Sequence, residues 1–578
     1  MADVLFITPN MEGNRHEEPF GTLLLGTILR QSGIAVDILQ FYHFGKLEAF
    51  GSFLERAVTM TLERSPKVVS FYTRCDTYHI TLALAKEIKA RRPDIWIVFG
   101  GPQSDITARD TVAEIDQVDF VCCGEGEHTV VPLFSSLIKG EPDLSVPGLV
   151  YKVNGEVVQN PRPALIEDLD TLPLIDYSLM QYVEGRRQKG VLALFPIDVG
   201  RGCPFGCTYC STKTFWGRKY RLKSPERIIE EIRDLHERFG VSDFVFEHDM
   251  FTMKRTQVID TCRLLKTLDF PFSWRCSARL DCLDEELIDI MADAGLKSLF
   301  IGIETGSARM QKLINKNLKL ERAMPVLRYL AEKDLKATVS FIYGFPEETE
   351  EDVEQTMKMV AQIRALPGMD IQLHLCTFLP GTELSDRYAA EMHPVDKYSD
   401  IIGSAAIKDC AELIEAHPAV FRHLYEYRTP LRSKLQYLPV FFRMWDLTAP
   451  VYRYLSERYS QDGLLAMYYD FVSDNKDWLE RYRSFSYEAQ AAILREDHFI
   501  ERLKNDENYD IIQDIYRLYA AQVEKKAEGG GTVTDVYCFS PRELTRTADL
   551  RQIKRRLTMV TSVISADGSV KMQIFDRK

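Results

Sequence analysis

The chain has 578 residues, a formal net charge of −13 and a mean hydropathy of −0.19. This length exceeds what one hydrophobic core holds, so we expect three or more domains. The balance of 72 Lys and Arg against 85 Asp and Glu excludes a globally basic nucleic-acid-binding protein. No apolar run reaches the length of a membrane span, and the first residues enter a strand pattern without a signal peptide. We therefore predict a cytoplasmic protein with no nucleic-acid partner and no membrane span.

Residues 1–140 alternate short apolar runs with amphipathic stretches, which predicts an α/β domain with a doubly wound parallel sheet. In such sheets ligands bind at the carboxyl ends of the strands. Two loops at those ends are rich in glycine, which has no side chain, namely Gly100-Gly101-Pro102 and Gly124-Glu125-Gly126. A large planar ligand can lie against backbone there. The predicted strands are Val4–Thr8, Ala35–Gln40, Lys67–Tyr72, Trp96–Phe99 and Phe120–Cys123.

Residues 141–192 have the pattern of a connector between two domains. Asn154-Gly155 predicts a hairpin turn between the short apolar runs Leu149–Val153 and Glu156–Gln159. The segment 169–176 is extended and punctuated by proline.

Strand and helix alternate again over residues 193–385, and the first strand, Ala193–Val199, precedes a cysteine loop. Cys203, Cys207 and Cys210 have the spacing Cys-x3-Cys-x2-Cys. A structural zinc site or an ordinary 4Fe-4S cluster needs four protein ligands, so three thiolates leave one iron open. The loop therefore predicts a catalytic 4Fe-4S cluster, and a zinc knuckle is the alternative. The other nine cysteines form no disulfide-like framework, which predicts reduced thiols.

The cysteine loop, with the aromatic Tyr209 before its third cysteine, resembles the radical S-adenosylmethionine (SAM) superfamily. The resemblance implies a partial (β/α)6 barrel over residues 193–385. It also implies that SAM chelates the open iron and that one electron cleaves SAM to a 5'-deoxyadenosyl radical.

The same resemblance assigns SAM-binding roles to residues at the later strand ends. Glu247 and Asp249 would lie near the methionyl amine, Arg279 near the carboxylate and Glu304 near the ribose hydroxyls. A strand containing Ser340 and Ile342 would support the adenine. A helix cap or an ion pair is the alternative for each carboxylate.

The two glycine loops, with Pro19–Gly26 opening the first helix, resemble the Rossmann-like cobalamin-binding domain that precedes many radical SAM enzymes. Related domains supply a cobalt ligand from an Asp-x-His-x-x-Gly loop. The loop around His16 lacks that pattern, so we interpret His16 as a surface residue. Arg74, after the third strand, is a candidate for the lower face of a cobalt without a histidine ligand, and a surface salt bridge is its alternative.

Residues 386–527 are predicted to be a helical domain rich in aromatic residues, which are interpreted as core rather than as a substrate platform. A glycine-rich linker separates them from a small α/β tail, residues 528–578. The tail is predicted to contain a hairpin that turns at Ala566–Ser569.

The resemblances together imply a methyltransferase that transfers a methyl group from methylcobalamin to a carbon of a small-molecule or peptide substrate. An electron donor such as flavodoxin or ferredoxin would be its partner. The alternatives are a cobalamin-binding cyclase or rearrangement enzyme and a corrinoid-binding regulatory protein. A methylthiotransferase is disfavoured because it needs three more cluster cysteines in its first domain. That domain has only Cys75, Cys122 and Cys123, two of which are adjacent.

Overall fold

The structure is a computed structural model that describes residues 2–11, 20–43, 48–179, 182–183, 195–395, 406–459, 461–481, 487–528, 530–541, 544, 553, 555–565 and 569–576. The chain divides into two compact units. The first contains Met1–Tyr343 with Gln362–Arg428, and the second contains Gly344–Ala361 with Thr429–Lys578. His16 and most of the predicted tail turn at Ala566–Ser569 lie outside the described residues.

The first sheet has eight strands in the order β7-β6-β5-β4-β3-β1-β2-β8. All five strands predicted for residues 1–140 are confirmed, and they pair in parallel. The hairpin at Asn154-Gly155 also forms, and its first strand pairs antiparallel with β5. Part of the predicted connector therefore extends this sheet. The strands are β1 Val4–Met11, β2 Val36–His43, β3 Val68–Tyr72, β4 Trp96–Gly100, β5 Phe120–Cys122, β6 Leu149–Val153, β7 Glu156–Gln159 and β8 Tyr182–Val183.

Helices cover both faces of the first sheet, so its central strands are apolar on both sides. In β1, Leu5 and Ile7 belong to one core cluster, whereas Val4 and Phe6 belong to the other. Residues 406–424, in the predicted helical domain, contribute buried side chains to the first of these cores. The helices of the sheet are Phe20–Gln31, Phe50–Leu62, Tyr78–Arg91, Pro102–Ile106, Ala108–Glu114 and Val130–Lys139.

The second sheet has six parallel strands in the order β16-β15-β14-β13-β12-β9. A separate antiparallel pair, β10 and β11, flanks the cysteine loop. The architecture is mixed α/β as predicted, and closure into a partial (β/α)6 barrel stays a prediction. The strands are β9 Phe195–Asp198, β10 Gly200–Arg201, β11 Arg221–Leu222, β12 Asp243–Glu247, β13 Ser273–Ala278, β14 Leu296–Glu304, β15 Lys336–Tyr343 and β16 Met369–Leu375.

The helices that follow these strands begin with recognisable caps. Ser224 accepts a hydrogen bond of 3.1 Å from the Arg227 amide, and Pro225 occupies the first turn, as predicted. Asp284 and Ser307 cap two later helices in the same way. The helices are Thr212–Trp216, Pro225–Phe239, Arg255–Leu265, Glu285–Asp293, Ala308–Leu313, Ala323–Glu332 and Glu350–Arg364.

Residues beyond the second sheet are mainly helical, as predicted. The aromatic side chains form a buried core in the second unit, where Phe441 contacts Trp445, Tyr452 and Phe471 with ring centroids 5.4–6.1 Å apart. The strands β17 His393–Pro394 and β18 Tyr425–Glu426 form a short pair in the first unit. The helices are Glu383–Tyr388, Ala411–Ala416, Pro430–Lys434, Leu438–Leu447, Ala449–Arg458, Leu464–Asp474, Lys476–Arg481, Tyr487–Glu496 and Tyr509–Ala527.

The tail forms a three-stranded antiparallel sheet of β19 Gly531–Phe539, β20 Arg555–Ile564 and β21 Val570–Asp576. The helix Tyr509–Ala527 packs against it, and Gln522 donates a hydrogen bond of 3.1 Å to Ser562. Among the described residues, no helix is long and apolar enough to cross a membrane.

Candidate functional site

A cavity of about 670 Å³ opens at the carboxyl ends of both sheets, within the first unit. From the first sheet, Tyr72 and Gly100 line it at the ends of β3 and β4. From the second sheet, Asp198 and Glu247 line it at the ends of β9 and β12. Carboxyl ends of parallel strands are the usual ligand sites in α/β folds, and this volume lies in the range of small-molecule binding sites.

The glycine loops form one wall of this cavity. Gly101 has φ +103°, and a Cβ on it would lie 2.9 Å from the Thr73 carbonyl oxygen, so the turn requires glycine. A Cβ on Gly100 would meet no atom within 4 Å. Gly100 thus leaves space that a side chain would fill. All six residues predicted from the two loops line the cavity: Gly100, Gly101, Pro102, Gly124, Glu125 and Gly126.

The side chain of Glu125 has partners that the sequence did not predict. Its carboxylate is 1% exposed and accepts hydrogen bonds from Arg221 Nη1 at 2.9 and 3.0 Å and from the Ile166 amide at 2.6 Å. It also binds Arg201, which in turn binds Glu127 at 2.6 Å. Burial alone would raise the pKa of the Glu125 carboxyl, but the hydrogen bond from Arg221 and the charge of Arg201 lower it.

This ion-pair network joins the loop after β5 to the strands that flank the cysteine loop. Arg201 lies in β10 and Arg221 in β11, and their guanidinium carbons lie 5.8 and 5.4 Å from the ring centroid of Trp216. Trp216 lines the cavity. Losing one partner of a buried pair typically costs about 3–5 kcal/mol, so Glu125 holds two parts of the site together rather than serving as a free ligand.

The cysteine loop is partly exposed and is held by backbone hydrogen bonds. The Cys210 amide donates to the Cys207 carbonyl at 3.2 Å, and the Thr208 amide donates to the Ile314 carbonyl at 3.0 Å. Burial raises the pKa of the Cys203 thiol to about 11, so a bound cationic group is needed to hold this residue as a thiolate near neutral pH.

In the described part of the chain, no group of three or more His, Cys, Asp or Glu side chains is placed to hold a single metal ion. Cys203, Cys207 and Cys210 lie on one loop, and a cluster that several thiolates bind is larger than a single ion, so their role as its ligands stays a prediction.

Two of the predicted SAM ligands line the cavity beside this loop. Asp249 accepts hydrogen bonds of 3.1 Å from the Gly202 amide and from the Thr212 hydroxyl. Glu247 lies opposite Asp198 in the β12–β9 register. Burial raises the pKa of the Glu247 carboxyl, and the negative charges of Asp198 and Asp249 raise it further. A cationic ligand would relieve this repulsion.

A second group of predicted residues lies around the loop but not on the cavity wall. The Lys316 ammonium is 2.6 Å from Glu304 Oε1 and 3.5 Å from the Tyr209 hydroxyl. Glu304 has φ +71° and is buried, and its ion pair is the alternative that the sequence left open.

The Arg279 side chain also has partners already. Its Nε donates a hydrogen bond of 2.8 Å to Asp281, and its guanidinium carbon lies 3.9 Å from the ring centroid of Phe205. A direct role of Glu304 at the ribose or of Arg279 at the carboxylate would require these contacts to change.

Ser340 and Ile342 lie in β15, where Ser340 is next to Gly302 of β14. Neither residue lines the cavity.

Arg74 does not reach the cavity. Its guanidinium pairs with Asp76, with Nε 3.0 Å from Oδ1, because that carboxylate lies two residues away on the same turn. This salt bridge is the alternative that the sequence left open, and a place for Arg74 at the lower face of cobalt stays a prediction. Tyr72, at the end of β3, lines the cavity.

Comparison with known proteins gives two family matches. The family described as the radical SAM superfamily matches residues 197–360, and the B12 binding domain matches residues 14–134. An uncharacterized methyltransferase of Pyrococcus horikoshii is 32% identical over 320 residues, which cover 55% of this chain and 68% of that protein. An anaerobic magnesium-protoporphyrin IX monomethyl ester cyclase of Rubrivivax gelatinosus is 29% identical over 289 residues, or 48% of this chain and 50% of the cyclase.

A solved structure shares the fold over most of the chain. It is that of the cobalamin-dependent S-adenosylmethionine radical enzyme OxsB with aqua-cobalamin bound. Its TM-score is 0.60 at 15% identity, and the match covers 90% of this chain and 80% of that one.

Proposed function

Because this chain belongs to the radical SAM superfamily and carries a B12-binding domain before the radical SAM domain, we propose that it is a methyltransferase acting on carbon. The cofactors of such an enzyme are a 4Fe-4S cluster, SAM and cobalamin. The observation that carries the proposal is the shared cavity, which the glycine loops and the carboxylates beside the cysteine loop line together. A methyl donor on one wall and a hydrogen-abstracting group on the other would then meet one substrate.

When bound, the cluster with SAM supplies a radical that removes hydrogen from carbon, and cobalamin supplies the methyl group. The protein's part is to bind and orient these groups. Cys203, Cys207 and Cys210 hold the iron, and Glu247 with Asp249 attracts the methionyl amine of SAM.

The cobalamin wall is formed mainly by backbone and apolar side chains. Gly100 lets a flat ring approach the backbone, and Phe71 and Phe134 line the same cavity and exclude water. Water exclusion protects a radical from quenching by side reactions. Among the described residues that line the cavity from the first sheet there is no histidine, so none of them would supply an imidazole to a bound cobalamin.

The second candidate is a cyclase, favoured by the similarity to the magnesium-protoporphyrin ester cyclase. It would use the same cavity without methyl transfer. The chain spans about half the length of that relative.

The two candidates are distinguished by the fate of the SAM methyl group, which can be followed without knowing the substrate. We expect reduced holoenzyme, incubated with methyl-deuterated SAM, to yield extracted corrinoid that carries the trideuteromethyl group by mass spectrometry. A holoenzyme that forms 5'-deoxyadenosine but leaves its corrinoid unlabelled would favour the cyclase. The Cys207→Ala protein serves as the control for SAM cleavage.

A further inference from the structure

An exposed basic surface lies beside the cysteine loop of this acidic protein, and we define it by Arg218, Lys312 and Lys319. Residues 305–319 carry four cations and no carboxylate, although the whole chain has a net charge of −13. The three defining side chains are exposed. Throughout the part of the chain that the structure describes, none of the three has an ion-pair partner. Their charges are therefore available to a partner.

The basic surface is attached directly to the cysteine loop. The Asn315 side chain donates a hydrogen bond of 2.9 Å to the Gly206 carbonyl, three residues after Lys312. On the other side, a Cβ placed on Gly206 would lie 2.5 Å from Arg218 Nη2, so this guanidinium rests on the loop. Leu313, next to Lys312 in the chain, is 38% exposed.

We propose that the basic surface docks an acidic one-electron carrier protein, which delivers the electron that the cluster needs to cleave SAM. This inference rests on the proposed function, since it assumes a cluster in the loop. In the transfer step the carrier loses one electron and the cluster gains it, and no atom is exchanged.

Charge complementarity selects the place and the class of partner. The net charge of −13 repels an acidic carrier, whereas uncompensated cations beside the cysteine loop attract it to the cluster site. Such patches act mainly on the association rate, which falls with rising salt. The loop at Gly206 is the part of the cluster site that this surface contacts, so docking there keeps the path to the cluster short.

The test reverses two charges of the surface in the holoenzyme. The variant is Lys312→Glu with Lys319→Glu, which leaves the loop-contacting Arg218 in place. The matched control is Lys297→Glu with Lys336→Glu, because both lysines are exposed, have no ion-pair partner among the described side chains and lie near the amino ends of β14 and β15. In a parallel sheet the amino ends of the strands lie opposite their carboxyl ends, and the cysteine loop follows a carboxyl end.

We expect reduced flavodoxin to support 5'-deoxyadenosine formation by the Lys312/Lys319 variant roughly tenfold more slowly than by wild type at low salt. The difference should shrink at about 1 M salt, where the Debye length is about 3 Å. Reduced methyl viologen, a small mediator that needs no docking, should give equal rates. Calorimetric titration with oxidised flavodoxin should show weakened binding to this variant and unchanged binding to the control.

Equal flavodoxin rates in the two double variants would overturn the proposal, as would an equal loss with methyl viologen. Binding of a single-stranded oligonucleotide that depends on Lys312 and Lys319, with flavodoxin rates unchanged, would assign the surface to nucleic acid and also overturn it. Failure of the proposed methyl transfer is distinguishable, because wild type would then still form 5'-deoxyadenosine while its corrinoid stays unlabelled. Failure of the cluster assignment is also distinguishable, because wild type would then cleave no SAM with either reductant while flavodoxin binding could still be measured.

Discussion

A Cys207→Ala protein is expected to form no 5'-deoxyadenosine from SAM under reducing conditions. Cys207 is 9% exposed on a loop whose other two cysteines flank it at the spacing of the superfamily. Only two of the three cysteine ligands then remain, and two thiolates do not retain the cluster. The measurement is anaerobic reconstitution, followed by iron and sulfide analysis and chromatography of the nucleoside product.

The matched control is Cys262→Ala. Cys262 is 1% exposed on the helix Arg255–Leu265, so its replacement makes the same change at a buried position away from the loop. It should keep wild-type cluster content and SAM cleavage. Wild-type product from Cys207→Ala would contradict the cluster assignment.

A Gly100→Leu protein is expected to lose cobalamin while keeping its cluster and its reductive cleavage of SAM. Gly100 and Val98 lie two residues apart on β4, so a side chain at Gly100 projects to the face on which Val98 lines the cavity. A Cβ there meets no atom within 4 Å, and the leucine therefore fills ligand space without displacing protein. Gly101 is a poorer choice, because its positive φ would strain any side chain.

Corrinoid content, measured by absorbance after extraction, tests whether Gly100→Leu loses cobalamin. Gly51→Leu is the matched control, since a Cβ on Gly51 also meets no atom within 4 Å and the residue lies exposed on the helix Phe50–Leu62. It should bind cobalamin as wild type does. Full cobalamin occupancy in Gly100→Leu would place the corrin elsewhere.

Much of the fold follows from local sequence patterns. The five parallel strands of the first domain are predictable because each is a short apolar run between amphipathic helices, as with Val68–Tyr72 before Tyr78–Arg91. The hairpin at Asn154-Gly155 is predictable from its turn residues. That its strands extend the first sheet is not, since pairing with β5 depends on a free sheet edge that only the assembled fold presents.

The site residues also differ in whether local sequence patterns reveal them. Gly100, Gly124 and the three cysteines are visible in sequence because each belongs to a short motif of neighbouring residues. The network of Glu125 with Arg201 and Arg221 is not visible, because its partners are 76 and 96 residues apart along the chain. Glu304 and Arg279 are predicted as ligands by resemblance, yet Lys316 and Asp281 bind them, and these partners carry no motif of their own.

The claim that both reactive centres face one cavity is tested most directly by electron paramagnetic resonance of wild-type holoenzyme with cob(II)alamin and a reduced cluster at full occupancy. The prediction is a magnetic interaction between the two centres, seen as splitting or faster relaxation of the cob(II)alamin signal when the cluster is reduced and absent when it is oxidised. A cob(II)alamin signal that is identical in both cluster states would mean that the centres lie far apart, and it would contradict the shared cavity.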